Sequence, residues 1–85
     1  MKSNRRDILI SLRKEKGLLQ KDVVDLLQRF HNVEISESYY GMIEQGVRTP
    51  KLSIALAISE LFEANPYDIF FEVKPNKKLR ERNLA

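Results

Sequence analysis

Apolar residues recur at helical spacing along most of this chain, a pattern that predicts an all-α fold. The first helix covers residues 5–16 and ends at Gly17, because glycine readily takes the left-handed conformation that closes a helix. The second helix covers residues 20–29 or 20–30, and residues 31–35 follow as an irregular connector. The two apolar stripes consist of Ile8, Leu9 and Leu12, and of Val23, Leu27 and Phe30.

The third predicted helix has two faces of different character. It begins at Ser36, whose hydroxyl can cap it, and it ends at Gly46. At about 100° per residue, Tyr40, Ile43 and Glu44 share one face, which is apolar except for the carboxylate. The opposite face is too poor in charge for an ordinary solvated surface and too polar for a core. It carries Ser38, Gly41, Met42 and Gln45.

Two further helices complete the predicted fold. Pro50 suits the start of the fourth helix, whose broad apolar face predicts that it is the most buried element. Asn65 can cap the fifth helix and Pro66 suits its first position, so this short helix covers residues 66–71. The apolar face of the fourth helix consists of Leu52, Ala55, Leu56, Ile58, Leu61 and Phe62.

The fifth helix carries more apolar surface than so short an element can bury alone. We therefore expect part of it to face a second molecule, as a dimer or partner surface. The residues of this predicted surface are Ile69, Phe70 and Phe71.

The chain of 85 residues has room for one domain with one core. We divide it into a flexible lead-in at residues 1–4, a folded domain at residues 5–73 and a basic tail at residues 74–85. The net charge is +4 over residues 1–16, −5 over residues 17–73 and +4 over the tail. This acidic middle excludes a uniformly basic coat for nucleic acid, so contacts with phosphate must come from a few well-placed cations.

Residues suited to catalysis are scarce. The chain has one histidine and no cysteine, and it lacks a glycine-rich phosphate loop, a nucleophile elbow and a paired metal-ligand spacing. The sequence therefore predicts no enzyme, no metal, no cofactor and no small-molecule ligand. A secretory pattern and an apolar stretch of membrane-spanning length are also missing, so we expect a cytoplasmic protein with no membrane partner.

The second and third helices are spaced as a pair that binds double-stranded DNA, with the third helix in the major groove. Their N-termini and the loop after the third helix would face phosphates. Alternatively, Gln20 braces a side chain of the third helix, Glu37 and Ser38 only start that helix, and Tyr39 and Met42 pack. The base-facing residues predicted are Glu37, Ser38, Tyr39, Gly41, Met42 and Gln45. The phosphate-facing residues predicted are Gln20, Lys21, Arg48 and Lys51.

Glu44 is unusual because it shares the apolar face of the third helix. A carboxylate in such a place is costly unless it is paired and hydrogen-bonded. We predict a structural ion pair with Arg13 on the first helix. The alternative is that Glu44 lies at the rim of the core and reaches water.

Taken together, the residues described above resemble the phage repressor and Cro type of helix-turn-helix proteins, the Xre family. The likeness runs from Ile8 to Phe70, through the segments ISESYYGMIEQGVRTPKL and ANPYDIF. It implies a compact five-helix lambda-repressor-like domain, usually dimeric on a roughly palindromic operator, that acts as a transcriptional repressor or regulator. We accordingly expect a nucleoid-associated protein. The likeness also implies a phosphate contact for Gln20, a buried Arg13–Glu44 pair and a phosphate-binding loop at Gly46, Arg48 and Lys51.

The sequence departs from this family in three respects. The short turn between the second and third helices is replaced by residues 28–35, a lengthened connector without glycine. Val24 stands where the family has a small residue at the crossing of the two helices, and Glu37 and Met42 stand where arginine is frequent. A rival hypothesis from another class is an antitoxin-like protein-interaction module that uses the acidic middle and the Phe70 and Phe71 surface.

Overall fold

The computed structural model describes residues 5–71, which form five helices and, within that range, no strand. The predicted all-α fold is therefore confirmed. The lead-in at residues 1–4 and the basic tail at residues 74–85 lie outside the described residues. In chain order the helices are α1 (Asp7–Glu15), α2 (Gln20–His31), α3 (Glu37–Gln45), α4 (Leu52–Leu61) and α5 (Pro66–Ile69).

The helix ends follow the local sequence signals. Gly17 and Gly46 have φ angles of 69° and 80°, the left-handed conformation in which a side chain would be strained. The Ser36 hydroxyl accepts a hydrogen bond from the amide of Tyr39 at 3.0 Å and so caps α3. The Asn65 side chain caps α5 in the same way. These short-range predictions are confirmed.

The segment between α2 and α3 differs from the prediction. Helix α2 continues through His31 and ends where Asn32 turns left-handed, with a φ angle of 56°. Residues 28–31 of the lengthened connector are thus helical, which keeps their backbone groups hydrogen-bonded. Residues 32–36 make the remaining link, and Val33 and Ile35 pack against the core within it.

The core is made by one face of each helix. Helix α4 contributes more buried residues than any other element in residues 5–71. Its buried stripe was predicted wrongly in part, because Leu52 and Leu56 are 61% and 43% exposed. At helical spacing these two side chains lie opposite Ile54 and Ile58, so they point away from α2 and α5. The buried apolar residues are Leu9, Val23, Leu27, Tyr40, Ile43, Ile54, Ala55, Ala57, Ile58, Phe62, Ile69 and Phe70.

Tyr40 is fully buried at the centre of α3, next to Glu44. Its hydroxyl makes no hydrogen bond of good geometry within the described residues, although it interacts electrostatically with the Glu44 carboxylate. Burial raises the pKa of Tyr40, and the neighbouring carboxylate raises it further. The hydroxyl is therefore held in its neutral form without contributing a bond to the core.

We expect Tyr40→Phe to leave the free energy of unfolding at pH 7 unchanged or to raise it by up to about 1 kcal/mol, because no hydrogen bond is lost. In the wild type, the raised pKa means that stability is full below the unfolded-state pKa of 10.0 and falls at higher pH. A phenylalanine at this position cannot ionise, so the variant should gain about 1 kcal/mol relative to wild type at pH 11. Urea titrations at the two pH values measure both effects. A variant that is less stable by more than about 1 kcal/mol at pH 7 would mean that the hydroxyl is bonded.

Candidate nucleic-acid interface

Helix α3 presents a polar outer face and buries the opposite one. Tyr40, Ile43 and Glu44 are buried on the inner side. Tyr39 lies at the border and packs against the core, so of the two predicted alternatives for this residue the structure favours packing. The outer face retains three exposed residues, Glu37, Ser38 and Gln45, and two half-buried ones, Gly41 and Met42.

The inner face is fixed by a buried ion pair between Arg13 and Glu44. Arg13 Nε donates to Glu44 Oε2 at 2.7 Å and Arg13 Nη2 donates to Glu44 Oε1 at 3.2 Å, so the contact is bidentate. The two side chains are only 11% and 1% exposed. The hydrogen bond to Glu44 raises the pKa of Arg13 above its already high ordinary value, and the guanidinium stays charged. Glu44 is thus a structural residue in the core and lies away from the rim.

Gln20, at the first position of α2, belongs to the same network. Its Nε2 donates to Glu44 Oε1 at 2.9 Å, because a carboxylate can only accept. Arg13 Nη1 also donates to the carbonyl of Leu18 at 2.9 Å, which fixes the turn before α2. Of the two roles predicted for Gln20, bracing a side chain of α3 is therefore the one that the geometry supplies.

Gly41 faces this network rather than open solvent. A Cβ atom built at Gly41 would lie 3.3 Å from Gln20 Oε1, closer than a comfortable contact. The missing side chain lets Gln20 lie across α3 and reach Glu44. The helix cost of glycine, up to about 1 kcal/mol relative to alanine, is thereby offset by packing between α2 and α3.

The three cations of the predicted phosphate-facing set are exposed. Lys21 lies in the first turn of α2, and Arg48 and Lys51 lie in the loop between α3 and α4. None of the three forms an ion pair with another residue in the range 5–71. Their charges are therefore available to an anionic partner.

Arg6 makes interactions that the sequence pattern did not reveal. Its backbone amide donates to the Glu44 carbonyl at 2.8 Å, and Nη1 donates to the carbonyls of Ile43 and Arg48 at 2.6 and 3.1 Å. Its guanidinium also lies over the ring of Phe70, with 5.3 Å between Cζ and the ring centroid. The two adjacent arginines before α1 carry no periodic signal, so only the packed structure identifies the role of Arg6.

A family model for helix-turn-helix proteins matches residues 9–69, which include α2, α3 and the network between them. This chain belongs to the helix-turn-helix family. It is therefore a DNA-binding transcriptional regulator of a family that is not enzymatic. No curated protein and no solved structure matches the chain. None of the helices in residues 5–71 is both long and apolar enough to cross a bilayer.

The prediction of a partner surface on α5 is wrong for two of its three residues. Ile69 and Phe70 are buried in the core, and Phe71 is half-buried. Phe70 packs in the core, and the guanidinium of Arg6 lies over its ring. The exposed aromatic at this end is Tyr67, which is 68% exposed and lies against Phe71 with 5.5 Å between ring centroids.

We expect Glu44→Ala to destabilise the domain by about 3 kcal/mol or more, because it leaves the Arg13 charge buried and unpaired. Gln20 would lose its acceptor in the same step. The matched control is Glu34→Ala, which removes a carboxylate from an exposed position. Urea unfolding at neutral pH measures both variants. Equal unfolding midpoints for the two variants would contradict the structural role of the buried pair.

Proposed function

We propose that this helix-turn-helix protein is a sequence-specific repressor of the phage repressor and Cro type. In this proposal it binds a roughly palindromic operator as a dimer, in the cytoplasm, and places α3 in the major groove. The observation that carries the proposal is the exposed outer face of α3, which is held outward by the buried network behind it. A helix presented in this way is what direct readout of base edges requires.

The outer face of α3 offers a specific, though small, set of base contacts. The Gln45 amide can pair with both hydrogen-bonding atoms on the major-groove edge of adenine, and Glu37 can accept from the amino group of cytosine. Met42 can contact a thymine methyl, and Ser38 can pair with either kind of group. Tyr39 is removed from the proposed reading set because it packs against the core.

Lys21, Arg48 and Lys51 are the proposed contacts to the DNA backbone. Lys21 belongs to α2, and the other two follow the C-terminus of α3. Cations on the elements next to a recognition helix can hold the phosphates that border the groove. Gln20 is assigned a supporting role here, because its amide is engaged by Glu44.

The proposed dimer joins two domains at their α5 ends, where Tyr67 is the large exposed aromatic. A two-fold dimer matches a palindromic operator because each half-site meets an identical α3. The rival hypothesis of an antitoxin-like interaction module loses part of its motivation, since Phe70 lies in the core. It keeps the acidic middle of the chain as its remaining support.

Selection of binding sites from a random duplex library tests the proposal. We expect enrichment of one roughly palindromic sequence, and a fall in affinity as salt increases, because phosphate contacts release counterions. Sedimentation of the complex with a single selected site should give two protein chains per duplex. A library without enrichment and an affinity that does not change with salt would refute DNA binding as proposed.

Variants of the loop cations give a sharper test on the selected operator. Each of Arg48→Ala and Lys51→Ala should weaken binding and lower the slope of log affinity against log salt by about one, whatever the sequence of the duplex. Arg29→Ala is the matched control, because this cation lies at the far end of α2 and pairs with Asp25. An unchanged slope in both loop variants, or an equal change in the control, would contradict the assignment.

A further inference from the structure

Arg6 joins parts of the domain that are far apart in sequence. It precedes α1, yet it contacts the last turn of α3, the loop after α3 and the ring of Phe70 beyond α5. The position of Arg6 before α1 does not by itself explain this set of contacts.

The contacts fall on backbone groups that control where α3 ends. The final carbonyls of a helix have no partner within the helix and must find one elsewhere. The carbonyl of Glu44 accepts from the Arg6 backbone amide, and that of Ile43 accepts from Arg6 Nη1 in addition to the Gly46 amide. A cation at this position also interacts favourably with the helix dipole. Arg6 therefore closes the C-terminus of α3 from outside.

The third carbonyl bound by Arg6 belongs to Arg48 itself. This hydrogen bond, at 3.1 Å, holds the backbone of the residue whose exposed side chain is the proposed phosphate contact. The amides of Val47 and Arg48 are held from the other side by the carbonyl of Met42, at 3.0 and 3.3 Å. The backbone at Arg48 is thus fixed on both its amide and its carbonyl side, and Arg6 supplies the second of these.

We propose that Arg6 is a positioning residue for DNA binding, which aims Arg48 at the operator phosphate by fixing the backbone that carries it. The proposal rests on the function proposed above, since it assigns how one phosphate contact is set up. The guanidinium stacks on Phe70 and is hydrogen-bonded to carbonyls, so Arg6 acts through Arg48 rather than on the phosphate itself. Lysine cannot replace it fully, because an ammonium lacks the planar fork that stacks on a ring while bonding two acceptors.

A double-mutant cycle on the selected operator tests this role. Arg6→Ala should lower the salt slope by about one, as Arg48→Ala does, and the double variant should be no worse than either single one. Arg6→Lys should restore only part of the lost affinity. Arg5→Ala removes the same charge from the adjacent, exposed position, so it separates the effect of charge from that of position. Additive losses in the double variant, or an equal loss in Arg5→Ala, would overturn the proposal.

A second measurement needs no DNA and separates positioning from general loss of stability. In Arg6→Ala, the amides of Val47 and Arg48 should exchange with solvent faster, while amides in α2 keep the protection expected from global stability. Ile58→Val is the control, because it weakens the core in α4 without touching the loop. Unchanged exchange at Val47 and Arg48 would overturn the proposal whether or not an operator is found. Failure of the site selection alone would instead count against the proposed function.

Discussion

The buried carboxylate of Glu44 is the constraint on which the rest of this domain depends. A charge with about 1% exposure cannot be left without partners, and it is satisfied by Arg13 from α1 and Gln20 from α2. These two partners fix the direction from which α1 and α2 approach α3. Because a single side chain on the inner face of α3 collects both, the orientation of the outer face follows from the network. The position of α3 is thus set by polar geometry as well as by apolar packing.

Two other features are consequences of this arrangement. Gly41 has to be small because Gln20 crosses α3 on its way to Glu44. Arg13 Nη1 donates to the carbonyl of Leu18, and this hydrogen bond closes the turn between α1 and α2. Removing any one member would leave a buried donor or acceptor unsatisfied, and that is more costly than the net worth of one hydrogen bond.

Much of the fold could be predicted from sequence, because its signals are local. The caps at Ser36 and Asn65 and the left-handed glycines involve residues within a few positions of each other. The Arg13–Glu44 contact spans 31 positions and was still predictable, since a carboxylate on an apolar face demands a cation. A feature of the fold can thus be predicted where one residue has an energetic cost that only a particular kind of partner can offset.

The features that sequence did not reveal are those decided by the packing of several elements at once. Leu52 and Leu56 fit an apolar stripe on α4, but only the positions of α2 and α5 determine which stripe is buried. Phe70 looks exposed at the end of a short helix until Arg6 is brought over its ring from the other end of the chain. The extension of α2 through His31 was missed for a similar reason, because propensity is weak at helix ends and Asn32 alone decides the boundary.

The charge distribution of the domain bears on how such a protein would discriminate between DNA sequences. Phosphate contacts supply almost all of the free energy of binding without sequence preference. Helix α3 itself contains no cationic residue that could make such a contact. A domain with few such contacts binds all duplexes weakly. Base contacts then account for a larger share of the total free energy of binding, and each domain alone binds weakly. In the dimer proposed above, two domains on a two-fold site would add their contacts, which would offset the weak binding expected of a single domain whose α3 carries no cation.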